Sequence, residues 1–462
     1  MYHRDPEATA FNYTRSARLS VVCRARAVTI SKLLLEVDLM GAPKEIRTGR
    51  PHRPLGVSLI NQFGRLANAM GMHPVTLDPD RLVAKAIQKA GSADFGGDEL
   101  REGLHRFLSS AETEANLSLL GRLMVQGYTV DNLANRLRLV DWRKKHPEIA
   151  NEEIVAPLFI VGLPRTGTTI LHALLEQDPA NRSPLFWEVQ FPVPPATPQT
   201  WDDDPRIEED EKVLRQLYRL VPGFEAMHPM AATMPQECVA VFTMCFMSEQ
   251  LQVQFDVPSY QAWLDEQDMH STYEFYKRFL QHIQSGGVRG KRLVLKSPAH
   301  LHLLDTLLDV FPDARIVHTH RDPLEVCASV ASLTATLRGA STDAIDFKAI
   351  GRQQVAWWAK LITKSLEQRK RLAGRSDQFF DVTMNETVAD PIDVVRRMYA
   401  HFGYALSAEV EAKMVAFMAE NSRDKHGSHS YTPADFGIDL ERDRGPFEEY
   451  IDYFGLSETG EP

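Results

Sequence analysis

The sequence predicts an α/β fold in which a P-loop-type parallel β-sheet is flanked by helices and preceded by a helical N-terminal region. Four short apolar runs, at residues 158–162, 291–298, 314–323 and 377–384, each lead directly into a segment with helical periodicity. Strands that alternate with helices are typical of βαβ units, whose strands run parallel. Polar motifs follow the ends of these runs, and the carboxyl ends of parallel strands are where such folds bind ligands.

The first run, LFIVG at residues 158–162, is followed by the turn GLPRTGTT. The run is rich in branched and aromatic residues and ends at glycine, so it predicts a buried strand that feeds a tight turn and a helix. Gly162 and Gly167 have the spacing of a nucleotide phosphate loop and permit the tight path of the chain. Thr168 and Thr169 add hydroxyl donors to backbone N–H groups that bind anions.

This loop differs from a phosphoryl-transferring loop at two positions. Thr168 stands where lysine is expected, and Arg165 lies inside the loop. No apolar run ends convincingly in the aspartate that would hold Mg²⁺, Asp381 being the nearest candidate, whereas the second run ends in Lys296. The pattern favours a donor that is handled without metal, because a sulfuryl group carries less charge than a terminal phosphoryl group and fixed cations can manage it.

A second anion site is predicted in HTHRDPLEVCAS. Arg321 lies at a strand end, Pro323 opens a helix, and Ser329 lies on that helix. Arg321 and Ser329 could reach one phosphate, the arginine through a forked charge-assisted contact. The alternative for an isolated Arg-Asp-Pro is a structural salt bridge and turn.

The chain divides into three predicted regions. Residues 1–75 form an N-terminal extension that is partly helical or loose, residues 76–150 a helical region packed on the core, and residues 151–462 the main domain. Residues 15–41 have the pattern of a basic amphipathic helix, for which packing on the domain is favoured over a role at a membrane surface. Asp78-Pro-Asp is a helix start signal for the second region.

Composition excludes several classes of protein. Hydrophobic residues make up 44% and charged residues 25% of the 462 residues, which is typical of a globular protein. The formal net charge of −10 argues against a nucleic acid or another long polyanion as partner. Four scattered cysteines form no disulfide framework or metal motif, and no apolar run approaches a membrane span or a signal core. A cytoplasmic protein is therefore expected, with peripheral membrane contact left open and the oligomeric state not predicted.

Taken together, these motifs resemble the sulfotransferases that use 3′-phosphoadenosine-5′-phosphosulfate (PAPS). The resemblance covers about residues 80–455 and is strongest to the bacterial sulfotransferase-family branch and to the tyrosylprotein sulfotransferases. It rests on PLFIVGLPRTGTT, LVLKSPAHL, FPDARIVHTHRDP with its serine, and HSYTPADFGIDLERDRGPFEEYIDYFG.

The resemblance implies roles for the donor-binding residues. The loop that binds the 5′-phosphosulfate corresponds to Gly162, Pro164, Arg165, Thr166, Gly167, Thr168 and Thr169. Arg165 would lie near the bridging oxygen, and Lys296 matches the lysine that stabilises the leaving phosphate. Arg321 and Ser329 keep the spacing of the 3′-phosphate ligands.

The resemblance leaves the catalytic base and several ligands open. Glu188 follows the loop helix, where the tyrosylprotein-type enzymes place their base, and His300 is the competing candidate. Each has a structural alternative, an ion pair with arginine for Glu188 and helix packing for His300. Lys425 is a further candidate phosphate ligand, and Trp187 or Phe380 could stack on the adenine.

The predicted activity is metal-independent transfer of a sulfuryl group from PAPS to a hydroxyl or amine of a small or lipid-like molecule. The histidines His300, His302, His318 and His320 are not expected to form a catalytic metal site, although His318 and His320 would share one face of a strand. The Met and aromatic stripes in residues 185–290 favour core over acceptor pocket. The alternatives are a nucleotide kinase or NTPase and an inactive phosphonucleotide-binding protein.

Overall fold

The computed structural model describes residues 45–47, 55–70, 74–221, 224–421 and 428–456. Within these residues, five parallel strands form one sheet in the order β3–β4–β2–β5–β6, and two further strands, β1 and β7, pair in parallel. The strands are β1 Glu45–Arg47, β2 Leu158–Gly162, β3 Asn181–Arg182, β4 Arg292–Lys296, β5 Arg315–His320, β6 Phe379–Thr383 and β7 Ser428–Ser430. The parallel sheet confirms the predicted α/β class, and each of the four predicted apolar runs contains one strand.

Helices cover both faces of the sheet and fill the region before it. In chain order the α-helices are α1 Leu55–Ala69, α2 Pro79–Ala90, α3 Leu100–Thr113, α4 Leu119–Lys145, α5 Thr168–Leu175, α6 Phe186–Gln190, α7 Pro205–Leu220, α8 Phe224–Met227, α9 Cys238–Phe242, α10 Gln250–Gln254, α11 Pro258–Leu264, α12 His270–Ser285, α13 Leu304–Val310, α14 Pro323–Ser341, α15 Phe347–Arg371, α16 Met384–Ala389, α17 Pro391–Phe402, α18 Ala408–Glu420 and α19 Glu448–Tyr453. Short 3₁₀ helices lie at Pro147–Asn151, Thr243–Cys245, Pro298–His300, Leu372–Gln378, Pro433–Phe436 and Gly445–Phe447.

The central strand β2 is buried along its whole length because helices cover both faces of the sheet. Its side chains alternate between two apolar clusters: Phe159 and Val161 pack into one, and Leu158 and Ile160 into the other. The register of the sheet brings the ends of three strands to one edge. Ile160 pairs with Lys296 on β4, and Gly162 pairs with Thr319 on β5.

The region before the sheet is helical, as its periodicity predicts. Asp78 caps α2 by accepting a hydrogen bond from the Arg81 backbone N–H at 2.9 Å, and Pro79 occupies the first helical position. On α3 the periodic residues Leu100, Leu104, Phe107 and Leu108 are all buried. The boundaries of the predicted domains stay predictions, and the basic amphipathic segment at residues 15–41 lies outside the described residues.

The described helices differ in length and in apolar content. Among them, none is both long enough and apolar enough to cross a bilayer.

Candidate active site

The turn after β2 is held in its conformation by two glycines and two threonines. Gly162 has φ +150°, and a Cβ atom there would lie 2.5 Å from the Thr319 carbonyl oxygen, so a side chain cannot be accommodated. Gly167 has φ +86° and caps the N-terminus of α5. The buried Thr166 hydroxyl lies 2.6 Å from both the Leu163 carbonyl oxygen and the Thr319 hydroxyl, which ties the turn to β5.

Several predicted donor-binding residues line a single cavity of about 1060 Å³. From the loop these are Pro164, Arg165, Gly167, Thr168 and Thr169, and Arg321 joins them from the end of β5. The two predicted anion sites therefore open into one space. Gly162 and Thr166 are not among its lining residues and support the loop from behind.

Arg165 and Arg321 are linked at the rim of the loop. Arg165 has φ +64°, which is uncommon for a residue with a side chain, and its Nη1 donates to the Met227 carbonyl oxygen at 2.9 Å. Arg321 donates from Nη1 to the Arg165 carbonyl oxygen at 3.1 Å and from Nε to Glu325 at 2.9 Å. The guanidinium of Arg321 thus braces the loop while facing the cavity.

The partner predicted for Arg321 lies deeper in the fold. Asp322 caps α14 by accepting from the Leu324 N–H at 2.9 Å, so the helix starts directly after the arginine. Ser329 is buried further along α14 and is not among the cavity-lining residues. Lys425 lies outside the described residues.

Lys296 ends β4 as a buried side chain, and its ammonium group donates a hydrogen bond to Glu237. Glu237 lines the cavity directly before α9. Burial alone would raise the pKa of the Glu237 carboxyl, but the charge and the hydrogen bond of Lys296 hold it below its ordinary value. Burial lowers the pKa of His228, another lining residue, to about 4. At neutral pH Glu237 is therefore ionised and the His228 imidazole is neutral.

Sequence reasoning missed Glu237. It stands in MPQECVAVF, which reads as an ordinary helix start, and it is 59 positions from Lys296. The sequence offered one indirect signal. A lysine buried at a strand end requires an anionic partner, so an acidic residue elsewhere in the chain had to pair with Lys296.

Glu188, the first candidate base, lies apart from the cavity lining. It is buried, its Oε1 accepts from Arg182 Nη2 at 2.6 Å, and its Oε2 accepts from the Leu185 N–H at 3.0 Å. Its neighbours Phe186 and Val189 line the cavity, but Glu188 does not. The structure therefore favours the ion-pair alternative that the sequence left open.

His300, the competing candidate, is fully buried. Its Nδ1 lies 2.6 Å from the Tyr273 hydroxyl, and its ring meets Phe159 and Phe242 edge-on. Burial lowers the pKa of His300 to about 3. It is not among the cavity-lining residues, so its surroundings are those of a packed core histidine.

The residues suggested for adenine stacking do not line the cavity either. Trp187 is buried beside Trp201, and Phe380 packs in the cluster under α17. From α16, Met384 and Thr387 do line it, and Thr387 lies close to Gly167.

His318 and His320 share a face of β5, as predicted, and Asp381 on β6 joins them. One ligand atom from each lies within 4.8 Å of the others, a set that could hold an ion. Asp381 also accepts from Arg369 at 2.7 Å, and His320 contacts the Tyr450 hydroxyl at 2.7 Å. None of these side chains lines the cavity.

The cavity extends from the loop into an apolar part formed by helices distant in sequence. Its apolar lining residues include Leu123, Met124, Leu214, Leu217, Phe224, Val253, Phe255, Leu333 and Leu337. A polar exception is Asp210 on α7, which is buried with no hydrogen-bond partner for Oδ2 in the described part of the chain. Burial and the neighbouring Glu211 raise the pKa of Asp210 to about 7.

Fold and site define an α/β protein in which the segments after parallel strands bring arginine and threonine side chains to one cavity. A family model described as "Sulfotransferase family" matches residues 157–408. Omega-hydroxy-beta-dihydromenaquinone-9 sulfotransferase Stf3 of Mycobacterium tuberculosis is 29% identical over 325 residues, which is 67% of this chain and 79% of that protein.

Two solved structures share the fold over most of the chain. The sulfotransferase STF9 of Mycobacterium avium has a TM-score of 0.75 and 31% identity, covering 82% of this chain and 96% of that one. STF1 of Mycobacterium tuberculosis has a TM-score of 0.72 and 32% identity, covering 80% and 98% respectively. The chain belongs to the sulfotransferase family. The resemblance to tyrosylprotein sulfotransferases stays a prediction.

Proposed function

We propose that this protein transfers a sulfuryl group from PAPS to a hydroxyl group of an apolar, lipid-like acceptor, without a metal ion. The observation that carries the proposal is the shared cavity. The loop, Arg321 and Glu237 meet at its polar end, and its other end is apolar. Lys296 is buried and reaches this end through its bond to Glu237. Such an arrangement suits a doubly phosphorylated donor and an acceptor with little charge.

The polar end provides the donor site. The N–H groups of the loop and the Thr168 and Thr169 hydroxyls would hold the 5′-phosphosulfate, since an anion is stabilised at a glycine-rich turn that opens a helix. Arg321 would contact the 3′-phosphate. For Ser329 to contact it as well, the phosphate would have to extend past Arg321 toward α14. Arg165 would contact the bridging oxygen.

The reaction is an in-line displacement at sulfur. The acceptor oxygen forms a bond to sulfur while the bond from sulfur to the bridging oxygen breaks, and the electron pair of that bond goes to the departing phosphate. Arg165 and the Lys296 ammonium would stabilise this growing charge without rearranging. The proton of the acceptor hydroxyl goes to a carboxylate.

Glu237 is the carboxylate that we propose as the base. It lines the cavity, contacts Lys296, and has a lowered pKa that keeps it in the ionised form a base requires. The same lowered pKa makes it a weak base, so its position beside the acceptor is what the proposal depends on. Glu188 already uses both oxygens within the protein. Glu188 is therefore proposed as a structural carboxylate.

The acceptor class rests on the apolar wall. A lining of leucine, methionine and phenylalanine stabilises an apolar molecule and leaves a polyanionic glycan unpaired. A relative of this chain is named for a hydroxylated menaquinone as its acceptor. We infer that an alcohol with a long apolar body is accepted here.

The test is a thermal-shift comparison of two nucleotides, followed by turnover of labelled PAPS with alcohols of increasing chain length. 3′-Phosphoadenosine-5′-phosphate should raise the melting temperature in the presence of EDTA, whereas ATP with Mg²⁺, measured in a parallel sample without EDTA, should not. Stabilisation by ATP–Mg²⁺ alone would point to a kinase or NTPase. Binding of the bisphosphate without turnover of any acceptor would indicate an inactive binding protein.

A further inference from the structure

Helix α1 presents an apolar stripe to solvent. Leu59, Phe63, Leu66 and Met70 are 63%, 60%, 63% and 65% exposed, and they recur at helical spacing along one side of α1 and the residue after it. We call these four residues the outer stripe. Large apolar side chains grouped in this way mark an interaction surface more often than singly scattered ones do.

The opposite side of α1 is already attached to the protein. Asn61 accepts a hydrogen bond from the Leu120 N–H at 3.3 Å and donates to Asp343 at 3.4 Å. Arg65 pairs with the same aspartate at 2.6 Å. Gly64 lies so close to Leu119 that a Cβ atom would not fit. The stripe is therefore the outward face of a docked helix.

The docking site of α1 adjoins the apolar part of the cavity. Leu119 and Leu120 begin α4, whose next turn contributes Leu123 and Met124 to the cavity wall. Asp343 follows α14, whose last turns contribute Leu337 and Ala340. α1 thus lies over the ends of two helices that enclose the proposed acceptor site.

The charged residues in and before α1 indicate which kind of surface would bind the outer stripe. Residues 55–73 contain Arg65 and no Asp or Glu. Residues 1–54 contain ten Lys or Arg and five Asp or Glu, a net charge of +5 in a chain of net charge −10. The apolar stripe therefore adjoins the basic part of an acidic protein, as in helices that lie on anionic membranes.

We propose that the outer stripe inserts into the surface of an anionic lipid bilayer, with the basic N-terminal sequence adding electrostatic attraction. A second copy of this chain would bring two segments of like charge together, which disfavours it as the occupant. The proposal does not depend on the sulfotransferase activity, because lipid binding requires neither donor nor acceptor.

The experiment is flotation of the full chain with vesicles, in the absence of nucleotide. Vesicles of phosphatidylcholine mixed with phosphatidylglycerol should carry the protein upward at low salt, and vesicles of phosphatidylcholine alone should carry much less. The double variant Leu59→Ser with Phe63→Ser should bind at least about tenfold more weakly, since two large apolar side chains no longer enter the bilayer. The control Val415→Ser with Leu440→Ser removes two half-exposed apolar side chains elsewhere and should bind normally.

Three outcomes would overturn the proposal. Equal flotation of the stripe variant and the unaltered chain would show that the stripe does not touch lipid. Equal loss in the control pair would show a nonspecific effect. Absence of vesicle binding by the unaltered chain would show that the stripe does not insert into lipid, and a dimer that the stripe variant abolishes in light scattering would then assign the stripe to a second copy. Loss of PAPS turnover in an otherwise lipid-binding protein would contradict only the proposed function.

Discussion

The two ends of the cavity are built in different ways. The polar end comes from the segments that follow three strands: the loop after β2, Ser297 and Pro298 after β4, and Arg321 after β5. The apolar end comes from single faces of α4, α7 and α14, which are far apart in the sequence. A short motif specifies one end, whereas only the folded chain assembles the other.

This difference separates the chemistry of the protein from its specificity. At the polar end the backbone is fixed by glycine and by buried hydroxyl contacts, so charged groups are held before any ligand arrives. At the apolar end the side chains offer apolar contact area and few directional hydrogen bonds. Substitutions at the polar end should therefore change the rate of transfer, and those at the apolar end the choice of acceptor.

The largest effect is expected for Glu237→Gln. Loss of a positioned base should lower kcat by about 10²–10⁴-fold, measured as PAPS turnover with a saturating alcohol. Nucleotide binding by thermal shift should persist, which shows that the variant is folded.

The contrasting variant is Glu188→Gln, because Glu188 lines neither end of the cavity. It leaves the buried Arg182 without its charged partner, so the free energy of unfolding should fall by about 3–5 kcal/mol, measured by denaturation with urea. Turnover per folded molecule should stay near normal. The assignment of Glu237 fails if Glu188→Gln stays folded and loses as much activity as Glu237→Gln.

A smaller effect is expected for Arg165→Ala. Removal of one preorganised cation at the bridging oxygen should lower kcat by about 10²–10³-fold. Arg397→Ala serves as the control, because Arg397 pairs with Glu386 and is not among the cavity-lining residues. Near-normal turnover in a folded Arg165→Ala protein would remove Arg165 from the mechanism.

The sequence predicted the polar end in part because its residues are neighbours along the chain. The pattern around residues 158–169 contains a strand, its turn and the helix start, so local rules suffice. The strand β3 was missed because two residues carry no periodicity. Glu237 was missed for another reason, since its contact with Lys296 joins residues 59 positions apart and exists only in the folded chain.

Glu188 and His300 show why a residue's type and its position in the sequence do not by themselves identify a base. Both stand at positions that sequence reasoning associates with a base, and both are residue types that serve as one. Whether each side chain faces the cavity or the core depends on contacts that only the fold creates, with Arg182 for Glu188 and with Tyr273 for His300. The apolar wall could not be predicted either, because a stripe of Met and aromatic residues looks the same in a core and in a pocket.

The apolar end is tested by Leu217→Gln, which keeps the size of a cavity-lining side chain and makes it polar. For a long-chain alcohol kcat/KM should fall about tenfold, the scale of one lost apolar contact in a pocket. For a short alcohol it should change little, because that molecule does not reach α7. Leu440→Gln, at a half-exposed site, should change neither. An equal loss of kcat/KM for both alcohols would contradict a contact between Leu217 and the distal part of the acceptor. It would mean that Leu217 affects the polar end or the stability of the whole cavity.

The smallest effect is expected for Asp210→Asn, which removes the buried carboxyl group that α7 contributes to the apolar end of the cavity. Because the pKa of Asp210 is raised from 3.8 to about 7, the unfolded chain releases this proton at lower pH than the folded chain does. The cost to stability therefore grows as pH rises above about 4 and is complete above about 7. Asp210→Asn should raise the melting temperature at about pH 8 and leave it unchanged at about pH 4, measured by differential scanning calorimetry. Glu208→Gln, an exposed neighbour on the same helix, should show no such pH dependence. A difference between Asp210→Asn and the unaltered chain that is the same at both pH values would mean that Asp210 has an ordinary pKa and that the apolar end admits enough water to solvate it.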